Sequence, residues 1–177
     1  VVSLPTGVSL NKTSVSLLAG KTAALTATVD PEQAAQAVTW TSSDENVVTV
    51  DENGVLTAVA AGTATVTAAA ADNTGASAVC EVTVTKPVSS IKLDKTSASV
   101  LRGKTVTLKA TVSPPDAGNK AVSWSSSDKK IATVDSKGFV KGVAKGTATI
   151  TAKAKDGSGV KATCKITVRQ PVTKITL

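Results

Sequence analysis

The chain repeats itself, and this constrains it more than any other feature. Val8-Ser9-Leu10-Asn11-Lys12-Thr13-Ser14 returns as Ile91-Lys92-Leu93-Asp94-Lys95-Thr96-Ser97. Gly20-Lys21-Thr22 returns as Gly103-Lys104-Thr105, and Ala27-Thr28-Val29-Asp30-Pro31 as Ala110-Thr111-Val112-Ser113-Pro114, all 83 positions on. One residue is then inserted at Pro114-Pro115-Asp116, a turn, where an extra residue is tolerated best. From there the offset is 84: Trp40 matches Trp124, Gly54 Gly138, Gly62 Gly146 and Cys80 Cys164. Pro87 to Leu93 returns once more as Pro171 to Leu177, so a third copy begins and is cut off. The expected organisation is a linker from a preceding module over 1–7, a first module over 8–86, a second over 87–170, and a truncated third repeat over 171–177.

Within each copy, side chains alternate with period two, the mark of half-buried strands. Ala23, Leu25, Ala27 and Val29 share one face, and Val106, Leu108, Ala110 and Val112 do the same in the second copy. Val, Thr, Ala, Ser and Lys dominate, and Val and Thr suit a pleated sheet. Asp51-Glu52-Asn53-Gly54 and Asp135-Ser136-Lys137-Gly138 are hairpin turns with Gly supplying positive φ. No stretch shows a sustained helical period. About seven short strands per copy predict an all-β fold: two tandem immunoglobulin-like β-sandwich domains with Greek-key connections. Lys86-Pro87-Val88 is a short linker stiffened by proline, which should limit swing between modules.

These residues resemble the group 2 bacterial immunoglobulin-like domains. The family's strand and hairpin motifs stand here as Leu10 to Leu17, Gly20 to Pro31, Val38 to Asp44 and Gly54 to Ala68. They recur as Leu93 to Val100, Gly103 to Pro114, Val122 to Asp128 and Gly138 to Ala152. The resemblance implies an extracellular stalk or adhesive array of a bacterial surface or secreted protein. It also admits an accessory segment of a secreted enzyme or of a phage virion protein. It identifies no ligand, because one sandwich hosts many functions.

The residue inventory argues against chemistry. There is no histidine, so a histidine general base is excluded, and two cysteines without histidine make a structural zinc site unfavourable. No nucleophile lies beside a base. The expectation is no enzyme, with no catalytic, cofactor-binding or metal residue. Gly20-Lys21-Thr22 and Gly103-Lys104-Thr105 mimic the tail of a phosphate loop, but the upstream glycine is missing and a strand follows. Trp40 and Trp124 could stack on a sugar or a base. Each is in register with an inward valine, so core packing is expected instead. Cys80 and Cys164 are in phase with inward residues and should be free, unreactive thiols. The repeated Asp44, Asp51, Asp128 and Asp135 could be calcium ligands or turn formers, and their scatter favours turns. Asn11-Lys12-Thr13 fits a glycosylation pattern that the second copy, with Asp94, does not keep.

Charge separates the copies. Residues 1–87 carry three Lys and eight acids, a net of −5; residues 88–177 carry fifteen Lys, two Arg and five acids, a net of +12. The added lysines fall on outward positions: Lys109 for Thr26, Lys153 for Ala69, Lys155 for Ala71, Lys161 for Ser77 and Lys165 for Glu81. They form a candidate anionic-ligand face for a cell-wall polymer or glycan. The alternative is surface lysine that serves solubility alone. Expected partners are neighbouring modules of the same chain and, beyond them, a wall polymer, a glycan or a host surface protein. No specific nucleic acid is expected, because no aromatics interleave with the charge. No apolar run is long enough to insert in a membrane.

Overall fold

The computed structural model describes residues 3–72 and 74–171. The chain divides between Lys86 and Pro87 into two units. Each is all-β, and among the described residues each holds nine strands. The first unit runs β1 (Gly7–Leu10), β2 (Ser14–Leu18), β3 (Thr22–Ala24), β4 (Ala27–Asp30), β5 (Val38–Ser42), β6 (Val48–Val50), β7 (Val55–Ala58), β8 (Gly62–Ala70) and β9 (Ser77–Thr85). The second repeats the order as β10 (Ser90–Leu93), β11 (Ser97–Leu101), β12 (Thr105–Thr107), β13 (Ala110–Ser113), β14 (Val122–Ser126), β15 (Ala132–Val134), β16 (Phe139–Gly142), β17 (Gly146–Ala154) and β18 (Lys161–Arg169).

The sandwich of each unit is one four-stranded and one three-stranded sheet. In the first they run β2-β9-β8-β5 and β3-β7-β6, with β1-β4 as a separate pair. In the second they run β11-β18-β17-β14 and β12-β16-β15, with β10-β13 as the pair. The path from β5 to β6 and from β7 to β8 crosses between sheets, the Greek-key route of the immunoglobulin-like fold. Seven strands become nine because two break and change sheets. Thr22–Val29 alternates in one phase throughout, yet β3 pairs with β7 while β4 pairs with β1. Backbone groups at the break need partners that neither sheet supplies. Asn11 meets this need: Thr26 N–H donates to Asn11 Oδ1 at 3.0 Å, and Asn11 N–H donates to the Thr26 carbonyl. Asp94 repeats the arrangement on Lys109 at 2.8 Å. Asn11 therefore has a structural role that its glycosylation pattern concealed.

β1 opens at Gly7, and residues ahead of it lie along the first unit. Pro5 is buried, Thr6 N–H donates to the Asp30 carbonyl, and Ser3 bridges to Ala34. The third repeat expected from Pro171 lies, beyond Pro171 itself, outside the described residues.

The two cores trade volume. Val48, Val66 and Val82 are fully buried, and their counterparts Ala132, Ile150 and Ile166 are too. The valine-to-alanine change removes two carbons, and the two valine-to-isoleucine changes restore one each. Leu56 to Val140 and Ala58 to Gly142, also buried, remove one carbon each, so the trade is partial and the second core is the leaner at these five positions.

Trp40 and Trp124 pack against these cores, as expected, while staying half-buried. Each ring closes the side of the sandwich by lying against a hairpin glycine. A Cβ on Gly54 would stand 2.7 Å from Trp40 Cζ2 and 2.6 Å from the Leu25 carbonyl oxygen. Gly54 also has φ of 76°, a left-handed conformation that side chains disfavour.

Candidate functional site

The Asp and Ser residues that follow the tryptophans and open the hairpins in both copies are occupied by the backbone. Asp51 Oδ1 accepts from the N–H groups of Asn53 and Val55, which shapes the β6–β7 hairpin. Asp135 does the same with Lys137 and Phe139. Asp44 Oδ1 accepts from Asn46 N–H, and its carbonyl accepts from Val47 and Val48. Asp128 repeats this with Lys130, Ile131 and Ala132. Where β5 ends, Ser43 Oγ takes the Thr65 N–H at 2.8 Å, and Ser127 takes that of Thr149. The Ser-Ser-Asp segment after each tryptophan is thus a strand terminator. Among the described residues, no three of His, Cys, Asp and Glu come together as a metal site would need.

The Gly20-Lys21-Thr22 loop is a tight turn between β2 and β3, with Gly20 at φ 82° and its N–H bonded to the Ala58 carbonyl. Cys80 and Cys164 are free and fully buried. Burial pushes both thiols up from their ordinary pKa, opposed in part by the charge of Lys12 for Cys80 and of Lys95 for Cys164. A thiol held in its protonated form is a poor nucleophile. No helix among the described residues is long and apolar enough to cross a membrane.

The cations that the second copy adds on one sheet face have no ion-pair partner among the described residues. The outer face of the sheet β11-β18-β17-β14 presents Lys161, Thr163, Lys165, Thr167 and Arg169 from β18. Beside them β17 presents Thr147, Thr149, Thr151 and Lys153. Lys153 stands directly across from Lys161, and Thr149 across from Lys165. Three of the five predicted lysines therefore share this face. Lys155 continues the β17 row past the strand end, its N–H bonded to the Ala121 carbonyl. Lys109 lies apart, at the break between β12 and β13, where its backbone is bonded to Asp94. That separation follows from the change of sheet, which alternation alone does not reveal. Arg169 was missed, although its place in the alternating Lys-Thr-Lys-Thr-Arg row is legible. Below it, Lys145, Thr147, Thr167 and Arg169 line an open groove of about 410 Å³.

Comparison with known proteins places the residues in one family. The family described as bacterial Ig-like domain (group 2) matches twice, over residues 5–82 and 87–166. An uncharacterised protein of Clostridium acetobutylicum is 40% identical over 97% of this chain, which spans 18% of that protein. The lacto-N-biosidase of Bifidobacterium bifidum is 58% identical over 41% of the chain and 6% of its own length. An Ig-like virion protein of Serratia phage KSP90 is 36% identical over 74% of the chain and 52% of its own length. The chain thus spans about half or less of these relatives.

Proposed function

The chain belongs to the group 2 bacterial immunoglobulin-like domains, in two tandem copies, and from this premise we propose that it is an extracellular, non-enzymatic spacer. In this reading it holds other parts of a longer protein away from a bacterial or virion surface. The same role fits an accessory segment of a secreted enzyme, a reading favoured by the likeness to lacto-N-biosidase.

One observation carries the reading. β2, near the start of the first unit, runs parallel to its last strand β9, in register from Ser14↔Glu81 to Leu18↔Thr85. β11 and β18 repeat this from Ser97↔Lys165 to Leu101↔Arg169. Tension reaching the N-terminal end of β2 and the C-terminal end of β9 pulls along the strands in opposite directions. The evenly spaced bonds of a parallel ladder are then loaded together in shear, not opened one at a time. The short β1–β4 pair takes the load first and passes it to this ladder. Such geometry suits a stalk that must bear force, where the unfolding rate decides survival.

Pulling the chain from its two ends tests this. The expected trace has two unfolding events. Val15→Pro, which removes a ladder donor inside β2, should lower the force of one event and leave the other unchanged. Unfolding at the same low force with and without the substitution would overturn the load-bearing reading.

A further inference from the structure

We infer that the outer face of β11-β18-β17-β14 is a binding surface for a linear acidic polysaccharide. This inference stands apart from the spacer reading, since a stalk need bind nothing. It rests on a stripe down β18. Lys161, Thr163, Lys165, Thr167 and Arg169 alternate cation with hydroxyl on one side of a single strand. At about 3.4 Å per residue the cations of this stripe stand about 14 Å apart, over a length of about 27 Å. Ser97 and Ser99 on β11 flank Lys165 and Thr167, and Ser123 on β14 flanks Lys153.

No carboxylate stands on the outward positions of these four strands. Lys153, Lys161, Lys165 and Arg169 form no ion pair with any described residue. The fold does not ask for this arrangement. The first unit builds the same sheet with Ser77, Val79, Glu81, Thr83 and Thr85 along the equivalent strand, and with Ala69 across from Ser77. The second unit instead sets Lys153 across from Lys161, a like-charge pair that works against the sheet. A cost the fold can avoid, kept on a face with no internal partner, points to an external anion.

The spacing selects the polymer. Duplex DNA carries a charge about every 1.7 Å, far denser than stripe cations about 14 Å apart. The face also has no aromatic ring on which a base could stack. A protein partner would need an apolar centre, and among the described residues of these four strands Leu101, 44% exposed and on the β11 edge, is the only exposed large apolar side chain. Anionic groups separated by hydroxyl-bearing sugars match alternating ammonium and threonine. The groove between Lys145 and Arg169 gives the stripe an end where a further anion can sit.

The first unit supplies the control. The full chain is passed over sparsely carboxymethylated dextran, neutral dextran and duplex DNA at low salt. Lys161→Ser, Lys165→Thr and Arg169→Thr together remove the stripe with residues that the first unit tolerates on its equivalent face. Lys104→Ser, Lys109→Ser and Lys137→Ser remove the same charge elsewhere in the second unit. The expected result is retention on the carboxymethylated dextran and none on neutral dextran. Affinity should fall about tenfold for the stripe variant, as three exposed ion contacts of modest strength imply. It should change less than about threefold for the control variant. Circular dichroism and melting temperature establish that both variants fold. Equal losses in the two variants, no retention of the parent chain, or tighter binding to duplex DNA than to the carboxymethylated dextran would each overturn the inference.

Discussion

Gly54 shows how much a single residue carries here. It supplies the left-handed turn of the β6–β7 hairpin, and its missing side chain leaves room for both the Leu25 carbonyl and the Trp40 ring. Gly54→Ala meets both constraints at once and should destabilise the first unit by about 2 kcal/mol or more, read by chemical denaturation. The second unit, with its own Gly138, should be unaffected. The glycine was legible as a turn former from the Asp-Glu-Asn-Gly run. Its contact with the tryptophan was not, because residues 40 and 54 meet only once two sheets have been stacked. The reverse holds for Asn11. Its sequence pattern suggested a modification site, and its contact with Thr26 across the sheet break explains it without one.

At the scale of elements, the join ahead of β10 is held from within the second unit. Val88 N–H donates to Asp156 Oδ2 at 2.6 Å, and Ser158 donates to Oδ1 through both its N–H and its hydroxyl. Val88 itself is buried beside Ala117 and Ala154. Partial burial pushes the Asp156 carboxyl up, but the bonds from Ser158 and Val88 outweigh it and leave the group below its ordinary pKa. A depressed carboxyl adds stability above its unfolded pKa of about 4, and that stability is lost as pH falls through the folded value. Asp156→Asn should therefore lower the melting temperature of the second unit at pH 7. The gap from the parent should narrow as the pH drops below about 4. A gap that stays constant down to pH 2 would mean that the carboxylate charge plays no part. The first unit has Pro5 where the second has Val88, so there is no N–H to hold. The tie belongs to the second copy alone.

At the scale of the molecule, two copies with matched cores carry opposite surfaces. The −5 of residues 1–87 and the +12 of residues 88–177 predict different responses to salt. Self-repulsion destabilises a compact unit of high net charge, and added salt screens it. Raising salt from about 10 mM to 150 mM, which shortens the screening length from about 30 to 8 Å, should raise the melting temperature of the second unit more than that of the first. Calorimetry of the full chain resolves the two, and equal shifts would mean that the lysines are too dispersed to repel.

The sequence by itself determined the repeat, the β class, the inward phase of each strand and the contrast in charge. All of these are periodic in the chain, with a period of two residues or of one module, and period is local information. The tertiary structure decided what depends on strand pairing. It divided Thr22–Val29 between two sheets and set β2 parallel to β9. It also gathered Lys153, Lys161 and Lys165 with Arg169 on one face while leaving Lys109 on another. Alternation says whether a side chain faces in or out, but not which of two sheets carries it, because both sheets of a sandwich share one core and turn opposite faces to solvent. The repeat was the plainest feature of the chain, and pairing turned it into two equivalent frames, one of which carries a row of cations that the other lacks.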